Sequence, residues 1–407
     1  MRTRITKWTM SLAIMAALAL LPEGNVRGDT EEGTEARLRA LEDEVRSLRD
    51  GRGEAVSTQT GFNPRTTVFG DFLGKFNPGG RFRDRTGDDR FSLRETELDM
   101  RASIDPYAKA VMIAAVREET ANSFEVEIEE GYLETTSLPA SLTARVGRFR
   151  QNLGALNRAH MHDLPTPTRP LVHEKFFGDE GLSGTGAQVS GLVSNPWDQY
   201  LEWTAELVNN DNDTLLDGTD GEDPAALGHL KWFGDVTGGT TLEVGTSYLH
   251  GLREDSPKHL TQQVYGVDVM AKWRPKREGL YRSFLLQGEA YWADRDVDDA
   301  TNLDAHLTVA SPKNARPFGA YALAQYQIDR RWYAGVRYDV SEEIGDVFDR
   351  EKAVGGFLSM YTSEFLRFRL GVEHHTRNND RTDFDVAALG VTWVFGTHPA
   401  EPYWVNR

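Results

Sequence analysis

The chain has 407 residues, no Cys and a formal net charge of −17, from 63 acidic and 46 basic side chains. The missing thiols exclude disulfides, thiolate metal sites and a lipidated cysteine anchor, and no nucleic-acid partner or cofactor is expected. Mean hydropathy is −0.52, and nothing after residue 25 reaches the ~18–20 apolar residues of a membrane helix. Low hydropathy also suits a large β-barrel, because half of each strand faces a polar lumen.

Arg2, Arg4 and Lys7 precede an apolar run from Trp8 to Leu21, and Val26-Arg27-Gly28 then offers small side chains for cleavage. This predicts an export signal over residues 1–28. In the next segment, 29–50, Leu38, Leu41, Val45 and Leu48 recur with 3-4-3 spacing among charges. That predicts a periplasmic helix whose a/d seam forms a short coiled coil, with a homotrimer as the expected assembly. Residues 51–65 read as a linker and 66–407 as the main domain.

About 16 strands are predicted, at 66–75, 91–104, 106–117, 124–135, 141–149, 187–194, 199–209, 227–236, 240–250, 263–274, 281–293, 317–327, 331–340, 351–361, 365–375 and 383–395. Their faces alternate. Leu366, Phe368, Leu370 and Val372 oppose Arg367, Arg369 and Glu373, and Leu201, Trp203, Ala205 and Leu207 oppose Glu202, Thr204 and Glu206. Period two with charge on one face and lipid-compatible groups on the other is the mark of a half-buried strand. Tight connections (such as 105, 136–140 and 195–198) alternate with longer ones (such as 76–90, 150–186 and 294–316). Short turns at one rim and long loops at the other mark the periplasmic and outer faces of a bacterial barrel. The expected fold is therefore all-β, a 16-stranded antiparallel transmembrane β-barrel in the outer membrane with a short N-terminal coiled-coil helix. Its outer loops would meet lipopolysaccharide. The final strand alternates Leu389, Val391, Trp393 and Phe395, and a tail, GTHPAEPYWVNR, follows.

The longest connection, 150–186, contains AHMHDLP and then RPLVHEKFFGDEGLSGTG, and the chain nears its end with FGTHPAEPYW. These stretches resemble the porin-like outer-membrane proteins related to the phosphate-selective porins, a group often labelled zinc-regulated outer-membrane receptors. The resemblance implies an outer-membrane channel. By analogy with trimeric porins, 150–186 would fold inward and constrict the pore. Residues 29–65 are too few for the plug of an energised receptor.

The lumen assignment places Arg145, Arg337, Arg367, Arg369, Glu127, Glu129, Glu202 and Glu206 among the pore-lining residues. Acids gather on strands 2, 4 and 7 and bases on strands 5 and 13–15, which predicts a transverse field with mild cation preference. In the constriction loop His160, His162, Asp163 and His173 stand out, and His160, His162 and His173 are the candidate metal ligands. The acidic loop 210–226 departs from calcium-loop spacing after Asp213. No GxSxG, HExxH or P-loop is present, and no enzyme is expected. Passive diffusion of small hydrophilic solutes or ions is the leading expectation. A metal-specific channel or receptor and a structural tether with a closed lumen are the alternatives.

Overall fold

The computed structural model describes residues 64–76, 91–120, 123–209, 212, 214–216, 224–253, 260–295, 316–344, 349–378, 383–397, 402 and 404–405. The export signal, the coiled-coil helix, all but the last two linker residues and the acids of 210–226 lie outside them. The strands are β1 (Arg65–Phe76), β2 (Phe91–Asp105), β3 (Ala108–Thr120), β4 (Ser123–Thr135), β5 (Thr143–Arg150), β6 (Ser183–Leu192), β7 (Tyr200–Asn209) and β8 (Pro224–Thr237). They continue as β9 (Thr240–Arg253), β10 (Leu260–Trp273), β11 (Ser283–Arg295), β12 (Phe318–Gln327), β13 (Trp332–Glu342), β14 (Arg350–Ser363), β15 (Leu366–Arg377) and β16 (Phe384–Gly396).

Each strand pairs antiparallel with its chain neighbours, and β16 closes the ring on β1, with Phe72 opposite Val391. Closure joins every strand to two neighbours, and the ladder is shortest between β4 and β5, where Gly131–Glu134 pair with Arg145–Arg148. The boundaries match those read from alternation to within a few residues. The largest shift is in β6, which begins at Ser183 because the glycine-rich run Gly184–Gly186 pairs with β5. One connection departs from expectation. β3 runs to Thr120 and β4 starts at Ser123, so this link at the long-loop rim is as short as the turns opposite.

Exposed and covered residues alternate along the strands. Leu207, Val336, Leu370 and Val372 face outward, each more than half exposed. Aromatic side chains gather at the two ends of this apolar band. Tyr107, Trp197, Tyr281, Trp332, Phe365 and Phe395 are exposed at the short-turn rim, and Phe76, Phe91 and Phe124 at the other. Apolar bands flanked by aromatic girdles are the surface of a barrel made for lipid. The buried apolar cluster lies on the opposite face. It joins inward residues such as Leu227, Leu285, Tyr291 and Tyr333 to Leu156, Val172, Phe176 and Phe177 of the connection between β5 and β6.

The band gives a direct test. Val336→Arg should destabilise the barrel by about 2–4 kcal/mol if that side chain meets the middle of a bilayer, measured by denaturant titration in lipid vesicles. The same substitution at the turn residue Ser194 should cost little. Equal costs would overturn the assignment of faces.

Candidate functional site

The connection between β5 and β6 covers residues 151–182 and folds inward, as its bonds to inward-facing groups around the ring establish. Asn157 ties its two ends together. Its amide donates to the carbonyls of Gln151 and Leu182 at 2.8 and 2.7 Å, and its oxygen accepts from the Leu182 N–H at 2.7 Å. Gly154 and Gly181 have φ of 64° and 80°, and a Cβ at either would run into Tyr291 or Arg169. Only glycine combines that conformation with so close an approach. A short helix, α1 (Leu171–Phe177), packs against β12, β13 and β14. Its first N–H donates to Asp339 Oδ1 at 3.1 Å.

The middle of the loop cannot satisfy its own backbone. Residues 164–170 read LPTPTRP, and three prolines remove three donors. The wall and tail supply what is missing. Every carbonyl from Ala159 to Thr168 accepts a hydrogen bond. Three of these come from turns or from Arg169 within the loop, to Ala159, His160 and Met161. Arg367 serves His162, Arg369 serves Leu164 and Thr166 at 3.2 Å each, Arg94 serves Pro167 at 2.7 Å and Arg337 serves Thr168 at 2.7 Å. Ser359 reaches Pro165 at 3.4 Å, and the indole of Trp404 donates to Asp163 at 2.6 Å. On the other side, wall acceptors take loop N–H groups. Glu206 accepts from Asn152 at 2.9 Å, Ser247 from Gly154 at 3.1 Å, and Glu289 from Ala155 and Leu156 at 3.0 and 2.7 Å.

The eight pore-lining candidates divide accordingly. Arg337, Arg367, Arg369, Glu129 and Glu206 point inward but are at most 4% exposed, because the loop covers them. Arg337 also pairs with Asp339 at 2.7 Å and Glu373 at 3.1 Å, and Arg369 with Asp71 at 2.5 Å. Their contacts are thus to protein, a correction to the expectation of five water-facing charges. Glu127, Arg145 and Glu202 remain in reach of solvent, with side chains 43%, 29% and 23% exposed. They too have partners: Arg117 and Arg148 for Glu127, Glu134 for Arg145, and Lys231 for Glu202.

The three loop histidines do not form one set. His173 on α1 lies 2.7 Å from Glu289 Oε2, packed among Phe177, Tyr291 and Tyr321. His160 and His162 stack on each other with ring centroids 5.6 Å apart, and Phe69 stacks on His162 at 3.9 Å. His160 Nε2 lies 2.8 Å from Glu130, and its Nδ1 lies 2.6 Å from Glu129 and 3.1 Å from Glu97. Burial lowers the pKa of His160 and Arg150 lowers it further, but Glu97 and Glu130 outweigh both and push it up to about 10. Asp163 keeps its carboxylate partly exposed, 3.7 Å from His162 Nε2.

Alternation alone could not have found Glu130. On β3, Ile113 faces Glu130 while Ala114 faces Ile128, so Glu129 is an extra residue on β4. That bulge turns two adjacent glutamates inward. A second bulge makes Arg94 the extra residue between Leu93 and Glu95 on β2, and Arg94 also turns inward to pair with Asp71. Further inward bases were missed, among them Arg117 and Arg150. Arg117 binds Glu127, Glu129 and Glu180, and Arg150 binds Glu129. Trp404 lies in the tail, where no periodicity marked it.

No family model matches the chain. An uncharacterized protein of Aquifex aeolicus (strain VF5) is 28% identical, over 80% of this chain and 72% of its own length. Among solved structures, an anion-selective porin from Comamonas acidovorans has a TM-score of 0.54 at 9% identity, covering 82% of this chain and 100% of its own. OprB of Pseudomonas putida has a TM-score of 0.54 at 11% identity, covering 82% and 94%. The fold is porin-like. At these identities the likeness speaks for architecture, and the chemistry must be argued from the residues.

Arg369→Met should expose how the loop is held. It removes the donors for Leu164 and Thr166 and leaves Asp71 short of one cation. Breaking a buried pair of this kind costs about 3–5 kcal/mol. The expected result is a lower urea midpoint and protease cleavage within 151–182 while the barrel stays intact. Unchanged protection would show that Arg369 does not hold the loop.

Proposed function

We propose that this chain is an outer-membrane porin-like channel for passive diffusion of small hydrophilic solutes or ions, with a lumen narrowed by residues 151–182. The observation that carries the reading is a closed 16-strand barrel, apolar outside and charged inside, with one connection bonded across its interior. Water in such a lumen lets an ion cross without meeting lipid, and wall charge biases which ions enter. The finer parts of the reading rest on sequence. They are export by residues 1–28, a periplasmic coiled coil over 29–50 that joins three copies, and kinship with the phosphate-selective group.

Ion preference would fall to the charges still reached by solvent. Glu127 and Glu202 supply negative potential and Arg145 opposes it from β5. Purified protein in planar bilayers under a KCl gradient should open with mild cation preference. The double change Glu127→Gln and Glu202→Gln should move the reversal potential toward the chloride value. A reversal potential that does not move would remove these residues from the permeation path, and absent conductance would remove the channel reading itself.

The tail adds a control point. Trp404 is 1% exposed, with its ring against Tyr333 and Tyr361 and the Arg367 guanidinium 5.1 Å above it. These neighbours lie at the short-turn ends of β13, β14 and β15, where an inward indole occupies room that solute would need. Trp404→Ala should therefore raise single-channel conductance. Equal conductance in the two proteins would place the narrowest point elsewhere.

A further inference from the structure

Five buried side-chain atoms converge where the loop meets β2 and β4 and none has a well-aligned hydrogen bond, although His160 Nδ1 stands 2.6 Å from Glu129 and 3.1 Å from Glu97 Oε2. They are both oxygens of Glu95, Glu97 Oε2, His160 Nδ1 and His162 Nδ1. Glu95 is 2% exposed, and its nearest cationic groups are His162 Nδ1 at 3.8 Å and Arg117 Nε at 4.0 Å. A buried carboxylate whose nearest donors are this distant is costly and calls for an explanation. One donor atom from each of Glu95, Glu97, Glu129 and His160 lies within 4.8 Å of the others. Ligands on opposite sides of an ion bound at ~2.0–2.4 Å stand about 4–4.8 Å apart, so the spread suits a single ion.

Charge points the same way. Glu95, Glu97, Glu127, Glu129, Glu130 and Glu180 face Arg117, Arg148 and Arg150 here, an excess of negative charge before the imidazoles are counted. Imidazolium or a divalent ion offsets it. His162 Nδ1 lies 3.4 Å from Glu97 Oε2, close enough to serve as a neighbouring donor. Imidazole and carboxylate together suit a first-row transition ion, whereas all-oxygen sites suit calcium and magnesium.

We propose that Glu95, Glu97, Glu129 and His160 bind one divalent first-row transition ion that bridges the inward loop to β2 and β4. On binding, any proton on His160 Nδ1 leaves to water and the metal takes its place. Glu130, at His160 Nε2, then orients the ring as carboxylates do behind metal-bound histidines. The proposal does not depend on conduction, and binding is read without transport.

The test uses the full chain, purified in detergent and treated with a chelator, titrated calorimetrically with Zn²⁺ and Mn²⁺ and, for contrast, with Ca²⁺ and Mg²⁺. One transition ion per chain is expected. Glu97→Gln and His160→Asn should each weaken it by at least about 10–100-fold, the loss that even outer-shell changes cause. His374→Asn should leave it unchanged, because His374 faces outward and pairs with Asp385 at 2.7 Å. X-ray absorption of the zinc-loaded unaltered protein should show imidazole nitrogen among oxygen ligands, which keeps the test sound if a variant folds poorly. Absence of stoichiometric binding would overturn the proposal. So would binding that survives both changes, or that only His374→Asn removes.

Discussion

A peptide segment packed against the inner wall of a barrel loses water there and must find a partner for each buried polar group of its backbone. That constraint organises the interior of this protein. The segment from Ala159 to Thr168 is rich in acceptors and, with its prolines, poor in donors, so it needs a wall that donates. Arg94, Arg337, Arg367 and Arg369 are that wall. A hydrogen bond to a charged group contributes about 1.5–3 kcal/mol, more than a neutral one. Guanidinium also presents several donors in one plane, so Arg369 serves two carbonyls and Asp71 together. Across the ring the need reverses. There the loop offers N–H groups to Glu206 and Glu289. The separation of acids and bases around the wall is therefore complementary to the loop backbone, whatever field it leaves for ions.

Satisfying the arginines constrains the strands in turn. Arg337 stands beside Asp339 on one strand face, and Arg369 reaches across to Asp71 on β1. Each such pair costs desolvation that only good geometry offsets, and a closed ladder supplies that geometry because no strand can slide. The two bulges refine it. Arg94 and Glu129 are residues without a ladder partner opposite, and both turn toward the loop. At these points the barrel gives up regular pairing and gains a second inward side chain.

The sequence therefore disclosed the scaffold better than the site. Outward Leu370 and Val372 and inward Arg367 and Arg369 follow from period two, because lipid and lumen each demand one kind of side chain. The same rule hid Glu130 and placed no weight on Arg94, since a bulge shifts the phase without any marker in composition. Whether an inward charge meets water or protein was also illegible. It depends on the loop, whose path is set by contacts with residues up to 241 positions away, as between Asp163 and Trp404. His160 and His162 stood out as a pair, but their carboxylate partners come from β2 and β4, and His173 went to Glu289 on β11. Trp404 gave no signal at all, because a single indole in a tail has no period.

The same constraint bears on how the lumen responds to its surroundings. Salt screens exposed charges over about a Debye length but reaches buried pairs much less. The pairs that hold the loop are buried, and those around Glu127 and Glu202 are not. Ionic strength should thus leave the position of the loop alone while it weakens the potential of the solvated charges. In the channel proposed here architecture and selectivity would be separate, with the covered charges holding the loop and the uncovered ones acting on ions.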